Sequence, residues 1–181
     1  MLNRTFTPFP ILTTNRLTLR QLVINDEQEI FILRSDSEIN KYLDRPISNT
    51  IDDARNFINK VTENINKNDS LYWAITLSGK NILVGTICLF SFSDENDKCE
   101  IGYELLTNYQ GLGIMKEAVE KVIDYAFNTI KVRKIEAFFH RDNQPSIKLL
   151  DKFSFRDASE ADKTDPVLLY YHLTNSIDNL K

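Results

Sequence analysis

Histidine and cysteine are scarce in this chain, with two of each among 181 residues. His140 and His172 lie far apart, and Cys88 and Cys99 form no CxxC pair, so no zinc-site spacing is present and no metal is expected. Free thiols in a reducing cytoplasm are the simplest expectation. Long apolar runs are absent too. A stretch such as "ILVGTICLF" at 82–90 falls far short of the roughly 20 residues that cross a bilayer, and "MLNRTFTPFP" lacks the apolar core of a signal peptide. These gaps argue against a membrane partner. The chain also lacks a basic excess: its net charge is −4, which argues against nucleic acid and would suit a cationic acceptor such as an amine. No repeat, low-complexity tract or linker divides it, so a single domain over 1–181 is expected. A chain of this length buries roughly 70% of its unfolded surface and needs no disulfide or metal to hold together.

What is present is a change of periodicity along the chain. "RLTLRQL" at 16–22 alternates as a strand does. "NDEQEIFILRS" and "DSEINKYL" read as helices, the second ending before Pro46. In "NTIDDARNFINKVTENINKN", Thr50 reads as an N-cap with Asp53 three residues on, and Ile51, Ala54, Ile58, Val61 and Ile65 share one helical face. "LYWAITLSG" and "NILVGTICLFSF" form a hairpin about Gly79, and "CEIGYELL" adds a strand after the turn "SDENDK". Met115, Ala118, Val119, Val122, Ile123, Ala126 and Phe127 fit the template of a core-facing helix. "VRKIEAFFH" (strand), "QPSIKLLDKFSF" (helix running into a turn or strand) and "PVLLYYHL" (strand) follow. Strands alternate with helices only in the second half, so the fold class is α+β or mixed α/β, with a mixed sheet.

Where the third hairpin-region strand gives way to a helix stands "NYQGLGIMKEA", with Gly111 and Gly113 one residue apart. A dinucleotide fingerprint, GxGxxG, would need glycine where Lys116 stands and an early βαβ unit, and has neither. The remaining readings are a plain tight bend or a cradle whose amides surround a pyrophosphate ahead of the helix starting at Ile114. In such a cradle the amides outweigh the dipole: each hydrogen bond to a charged oxygen is worth about 1.5–3 kcal/mol, the helix dipole about 0.3–1 kcal/mol.

"YQGLGIMKEA" resembles motif A of the GNAT acyl-CoA N-acyltransferases, with Gln110 and Gly113 matching and Met115 standing where the family prefers a small residue. "LTTNRLTLRQL", "YWAI", "LVGTICL", "EIGYELL" and "NQPSIKLLDKFSF" extend the likeness to the RimJ/RimL-type ribosomal-protein N-terminal acetyltransferases, from roughly Pro8 to Thr174. The resemblance implies a central, mostly antiparallel, splayed sheet flanked by helices, and acetyl-CoA as co-substrate. It implies that Gln110, Gly111, Leu112, Gly113, Ile114, Met115 and Lys116 hold the pyrophosphate, while Leu105 and Leu106 bind the pantetheine arm through main chain. It is compatible with a homodimer.

Transfer of an acetyl group to an amine requires a neutral nucleophile, a polarised carbonyl and a stabilised leaving thiolate. By resemblance Glu100 is the expected base; Glu104, on the same strand face, is the alternative. The tyrosine that many relatives use as acid is absent, Leu150 standing in its place, and Ser146 is the residue the resemblance assigns to the leaving thiolate. Asn143 reads either as a ligand of the cofactor arm or as a helix N-cap. His140 reads as structural, Tyr103, Tyr170 and Tyr171 as core or pocket lining, and Trp73 as packing beneath the sheet. The acceptor is open between a protein N-terminal amine and a small amine or antibiotic, with a non-catalytic acetyl-CoA-binding domain as the contrasting class. The acidic stretches "DSEINKYLD" and "TIDDA" are either receivers of a cationic acceptor or solvated helix faces.

Overall fold

The structure of the protein, a computed structural model, describes residues 2–159 and 165–175. Its elements run β1 (Leu12–Thr13), β2 (Leu17–Gln21), α1 (Glu27–Ser35), α2 (Ser37–Asn40), α3 (Ile51–Asn66), β3 (Leu71–Leu77), β4 (Lys80–Ser93), β5 (Lys98–Leu105), α4 (Ile114–Tyr125), β6 (Lys134–His140), α5 (Gln144–Asp151), β7 (Arg156–Asp157) and β8 (Leu168–Thr174). The strands form one eight-stranded sheet in the order β1-β2-β3-β4-β5-β6-β8-β7. Only β5 and β6 run parallel; every other pairing is antiparallel, so the sheet is mixed and mostly antiparallel as expected.

Local sequence explains the two long helices. Thr50 caps α3 by accepting from the Asp53 amide (3.2 Å), and the Asp53 carboxylate accepts in return from the Thr50 amide (2.9 Å), which satisfies two orphan donors at once. Ala54, Ile58, Val61 and Ile65 are then buried. In α4 Met115, Ala118, Val119 and Val122 are buried, but the expected last turn winds into a π-helix over Ala126–Ile130. Two further expectations are refined. A 3₁₀ turn at Ile24–Asp26 precedes α1, where Arg20 grips the buried Asp26 with two bonds of 2.8 and 2.7 Å. The second helix stops at Asn40, whose side-chain amide turns back to donate to the carbonyls of Leu33 (2.8 Å) and Asp36 (2.7 Å).

The period-2 geometry of β5 sorts its side chains onto two faces. Glu100, Gly102 and Glu104 look toward α1–α3: Glu104 meets Arg45 beyond α2 and the Tyr72 hydroxyl, and the Tyr72 ring meets Phe57 of α3. Cys99, Ile101, Tyr103 and Leu105 look toward α4, on the face where Trp73 is fully buried against Tyr125 and donates its indole N–H to the Pro10 carbonyl (2.8 Å).

The junction that positions the site is the β5–β6 pairing. It holds at Lys98↔Lys134, Cys99↔Ile135 and Glu100↔Glu136, and no further. Beyond Glu100, β5 follows β4 to Gly85↔Leu105 while β6 follows β8 to His140↔Leu168, and the two strands part. Leu106 donates to the Val84 carbonyl (2.9 Å), so by ladder alternation the main-chain groups of Tyr103 and Leu105 face the gap.

Candidate acetyl-transfer site

The glycine turn lies directly after the end of β5. Gly111 and Gly113 adopt φ of 76° and 75°, left-handed values that L side chains rarely take. A Cβ on Gly111 would meet nothing within 4 Å, and one on Gly113 only Arg16 Nη2 at 3.5 Å. In the protein itself, then, backbone conformation rather than space demands glycine. The first bond of α4 is Glu117 N–H to Gly113 C=O (3.2 Å); among the described residues the amides of Gly111, Leu112, Gly113, Ile114, Met115 and Lys116 find no acceptor. A run of free N–H groups at a helix start, bent by alternating left-handed residues, is a concave anion site.

Sequence reasoning missed what braces this turn. Arg16 donates from Nη1 to the Leu112 carbonyl (3.1 Å) and from Nε to Glu117 (2.7 Å), and its amide donates to the same carboxylate (3.0 Å). Thr14 completes the clamp with its hydroxyl on Glu117. Burial pushes the Glu117 carboxyl up, but these donors outweigh it and hold its pKa below the ordinary value. The signal was the "TTNRL" stretch, which carried the family likeness without a role for its arginine.

Gln110 does not aim its side chain at the turn's concavity: its amide folds back onto the Leu105 carbonyl (3.1 Å) at the mouth of the gap. Both main-chain groups of Leu106 are engaged, N–H with Val84 and C=O with the Tyr109 amide (2.9 Å). The main-chain groups of β5 that face the gap are therefore those of Tyr103 and Leu105. Leu112 is 57% exposed at the turn's tip, whereas Ile114 and Met115 are buried beneath it. Lys116 is exposed.

On the face toward α1–α3, Glu100 and Glu104 have different surroundings. Glu104 is buried and its carboxylate accepts from Arg45 Nη2 (2.6 Å), Thr86 (3.2 Å) and Tyr72 (3.3 Å). Glu100 is half-buried, and burial pushes its pKa up; a hydrogen bond from Ser91 opposes the rise and the charge of Glu136 adds to it. Ser91, at φ 50°, sits where the β4–β5 register slips after Phe90, a bulge that turns its hydroxyl onto Glu100. Glu136 stays charged: burial pushes it up, but Lys134 and Lys98 (2.7 Å each) and the Tyr170 hydroxyl (2.7 Å) bring it below its ordinary value. Gly102 keeps the floor between the two glutamates open, since a Cβ there would come within 3.1 Å of Cys88 Sγ. Cys88 and Cys99 are both free, and burial pushes the Cys88 thiol up to about 12.

Across the gap, Asn143 caps α5 by accepting from the Ser146 amide (3.2 Å). The Ser146 hydroxyl stands beside that of Tyr103 and lowers its pKa, against the burial that pushes it up to about 12. The structure thus brings β5 and α5 together through a serine–tyrosine pair. His140, at the end of β6, stacks on Tyr42 with ring centroids 5.4 Å apart. Among the described residues no cluster of potential ligands has metal-site geometry, and no helix is long and apolar enough to cross a membrane.

The profile of the Acetyltransferase (GNAT) domain matches residues 16–156. The uncharacterized N-acetyltransferase p20 of Bacillus licheniformis is 36% identical over 146 residues, covering 80% of this chain and 82% of that protein. A GNAT-family acetyltransferase from Bacillus anthracis superposes with a TM-score of 0.78 at 26% identity, over 91% of this chain and 98% of the other. The Microcin C7 self-immunity acetyltransferase MccE, solved with acetyl-CoA and AMP, shares the fold at a TM-score of 0.75 and 22% identity, over 90% and 94% of the two chains. With that match spanning both the glycine turn and the parted strands, the chain belongs to the GNAT acetyltransferases, in their RimJ/RimL-like branch.

Proposed function

We propose that the protein is an acetyl-CoA-dependent N-acetyltransferase acting in one domain, in which a primary amine attacks the thioester directly in a ternary complex. The observation that carries this reading is the run of free amides from Gly111 to Lys116, set beside the main-chain groups of Tyr103 and Leu105 that face the gap, where the Leu105 carbonyl meets only the Gln110 side chain. The first suits a pyrophosphate and the second an extended amide-bearing arm, and both occur in one pantetheine cofactor.

Glu100 takes the proton from the acceptor ammonium or, through water, from the attacking amine. Its raised pKa makes it a better proton acceptor than an ordinary glutamate. Glu104 is the weaker choice because Arg45, Thr86 and Tyr72 already occupy its oxygens. As the C–S bond breaks, the sulfur lone pair needs a donor. Ser146, beside the Tyr103 hydroxyl, supplies one. Asn143 serves α5 as its cap and, through that cap, fixes Ser146. Lys116 and Met115 contribute amides rather than side chains.

The branch suggests a protein N-terminal amine as acceptor, and a small-molecule amine is the second reading. Release of CoA thiol from acetyl-CoA tests both, with peptides bearing free alanine or serine N-termini in one panel and small amines in the other. Acceptor-dependent release with either panel supports the enzyme. Acetyl-CoA binding without release from any acceptor would favour a binding domain.

A further inference from the structure

Arg34 is the feature of the α1–α3 side that the transfer chemistry leaves unused. Its guanidinium lies 4.0 Å from the centroid of the Phe57 ring, half-buried, and among the described residues no carboxylate reaches it within ion-pair distance. Arg45 and Glu104 stand nearby and both act on it electrostatically, as does Tyr72. The contact chain is continuous: Arg34 over Phe57, Phe57 edge-on to Tyr72 at 5.4 Å, Tyr72 on Glu104, and Glu104 on Arg45. Glu104 is thus taken up by Arg45, and Arg34 beside them has no ion-pair partner among the described residues. Burial and the neighbouring Arg45 push the Arg34 pKa down, the sign of a cation held without its counter-ion. A guanidinium desolvated without an anion is costly, and an arriving carboxylate or phosphate would remove that cost with paired hydrogen bonds.

We propose that Arg34 and Arg45 form an anion subsite in the acceptor cleft, so that the acceptor is a primary amine bearing an anionic group several bonds from its nitrogen. This rests on the acetyltransferase reading and specifies its second substrate. Of the acidic residues that stood open as receivers of a cationic acceptor, Asp36 is spent on capping α2 and Asp53 on capping α3. Spacing narrows the class. Glu100 and Glu104 are four residues apart on one strand face, about 13 Å at roughly 3.3 Å per residue, and the gap where transfer occurs lies between them. With Arg45 seated on Glu104 at the far end of that span, nitrogen and anion then stand several ångströms apart. A free α-amino acid, whose two groups share one carbon, is too short. An ω-amino carboxylate or a peptide N-terminus followed by an acidic side chain fits.

Calorimetry on the CoA-saturated protein tests this without turnover, using 8-aminooctanoate and 1,8-diaminooctane. The aminocarboxylate is expected to bind at least tenfold more tightly than the diamine, with the preference lost in Arg34→Gln and restored in part by Arg34→Lys, which keeps charge. The thermal midpoint and CoA affinity of both variants should match wild type. Equal binding of the two ligands, or an undiminished preference in Arg34→Gln, would overturn the subsite. Alanyl-glutamyl amide binding more tightly than 8-aminooctanoate assigns the anion to a peptide side chain; the reverse order assigns it to a small molecule. Thiol release separates the two readings. A preference for the aminocarboxylate with no acetyl transfer breaks the enzyme reading, whereas transfer to amines without that preference breaks the subsite.

Discussion

The proposed cofactor side and the proposed acceptor side of this molecule are built in different ways. The cofactor side is nearly contiguous: the end of β5, the glycine turn and the start of α4 fall within residues 98–125, and one outside clamp from Arg16 braces them. The acceptor side is assembled from distant pieces. Arg45 reaches Glu104 across 59 residues, and Arg34, Phe57 and Tyr72 come from three separate elements. The first is specified by backbone conformation, the second by side-chain pairing. Backbone geometry tolerates few substitutions, whereas a pocket of paired side chains can be rewritten by changing two partners together. On the proposed reading, a donor site held by backbone beside an acceptor site held by side-chain pairs would let one transfer reaction be matched to different amines.

Substitutions can test that division. Glu100, at the seam between the sides, should show the largest effect: Glu100→Gln is expected to slow turnover by about 10²–10⁴-fold with acetyl-CoA binding unchanged. The sign of its pH dependence follows from the raised pKa. Activity should climb as Glu100 loses its proton, in a window above the usual glutamate value of about 4.3, and the variant should lose that limb. Equal rates for wild type and variant across pH would remove Glu100 from the mechanism. Next, Gly113→Val forces a β-branched residue toward positive φ and disturbs two or more amides, so calorimetry should find acetyl-CoA affinity down by about 10–10²-fold. Unchanged affinity would contradict the cradle.

On the acceptor side, Arg45→Ala leaves the buried Glu104 carboxylate without its cation. It should lower stability by about 2 kcal/mol in denaturant unfolding, with acceptor KM raised and acetyl-CoA affinity retained. A loss of acetyl-CoA affinity instead would mean that the two sides are coupled. The smallest effect is expected from Arg16→Ala. The ion pair it breaks is largely exposed and contributes under about 1 kcal/mol, so acetyl-CoA affinity should fall only a few-fold through a looser Leu112 carbonyl.

The same division explains what could be read from the sequence. Periodicity located α3, α4 and the hairpin strands because their signals are local: a capping residue, an apolar stripe, a change from period 3.6 to period 2. The glycine turn was legible for the same reason. Alternation even placed Glu100 and Glu104 on one face. It could not reveal their differing surroundings, because Arg45 and the Ser91 bulge lie outside the strand that carries them. Arg16, Arg34 and the Tyr103–Ser146 pair were likewise hidden, each defined by a partner in a remote segment. The direction in which Gln110 folds, back onto Leu105 rather than into the turn, depends on how the 3₁₀ turn at Thr107–Tyr109 seats the loop.

The parted strands carry a further consequence. An open β-edge normally recruits another chain, yet this one lies between two strands of its own sheet that part after Glu100. A ligand that zips into that seam binds the native chain and not the unfolded one, so it shifts the folding equilibrium by about 2.7 kcal/mol at a hundredfold excess over its dissociation constant. Resistance to proteolysis would then rise and fall with the concentration of whatever lies in the seam, so that the lifetime of the folded chain would report how full that seam is.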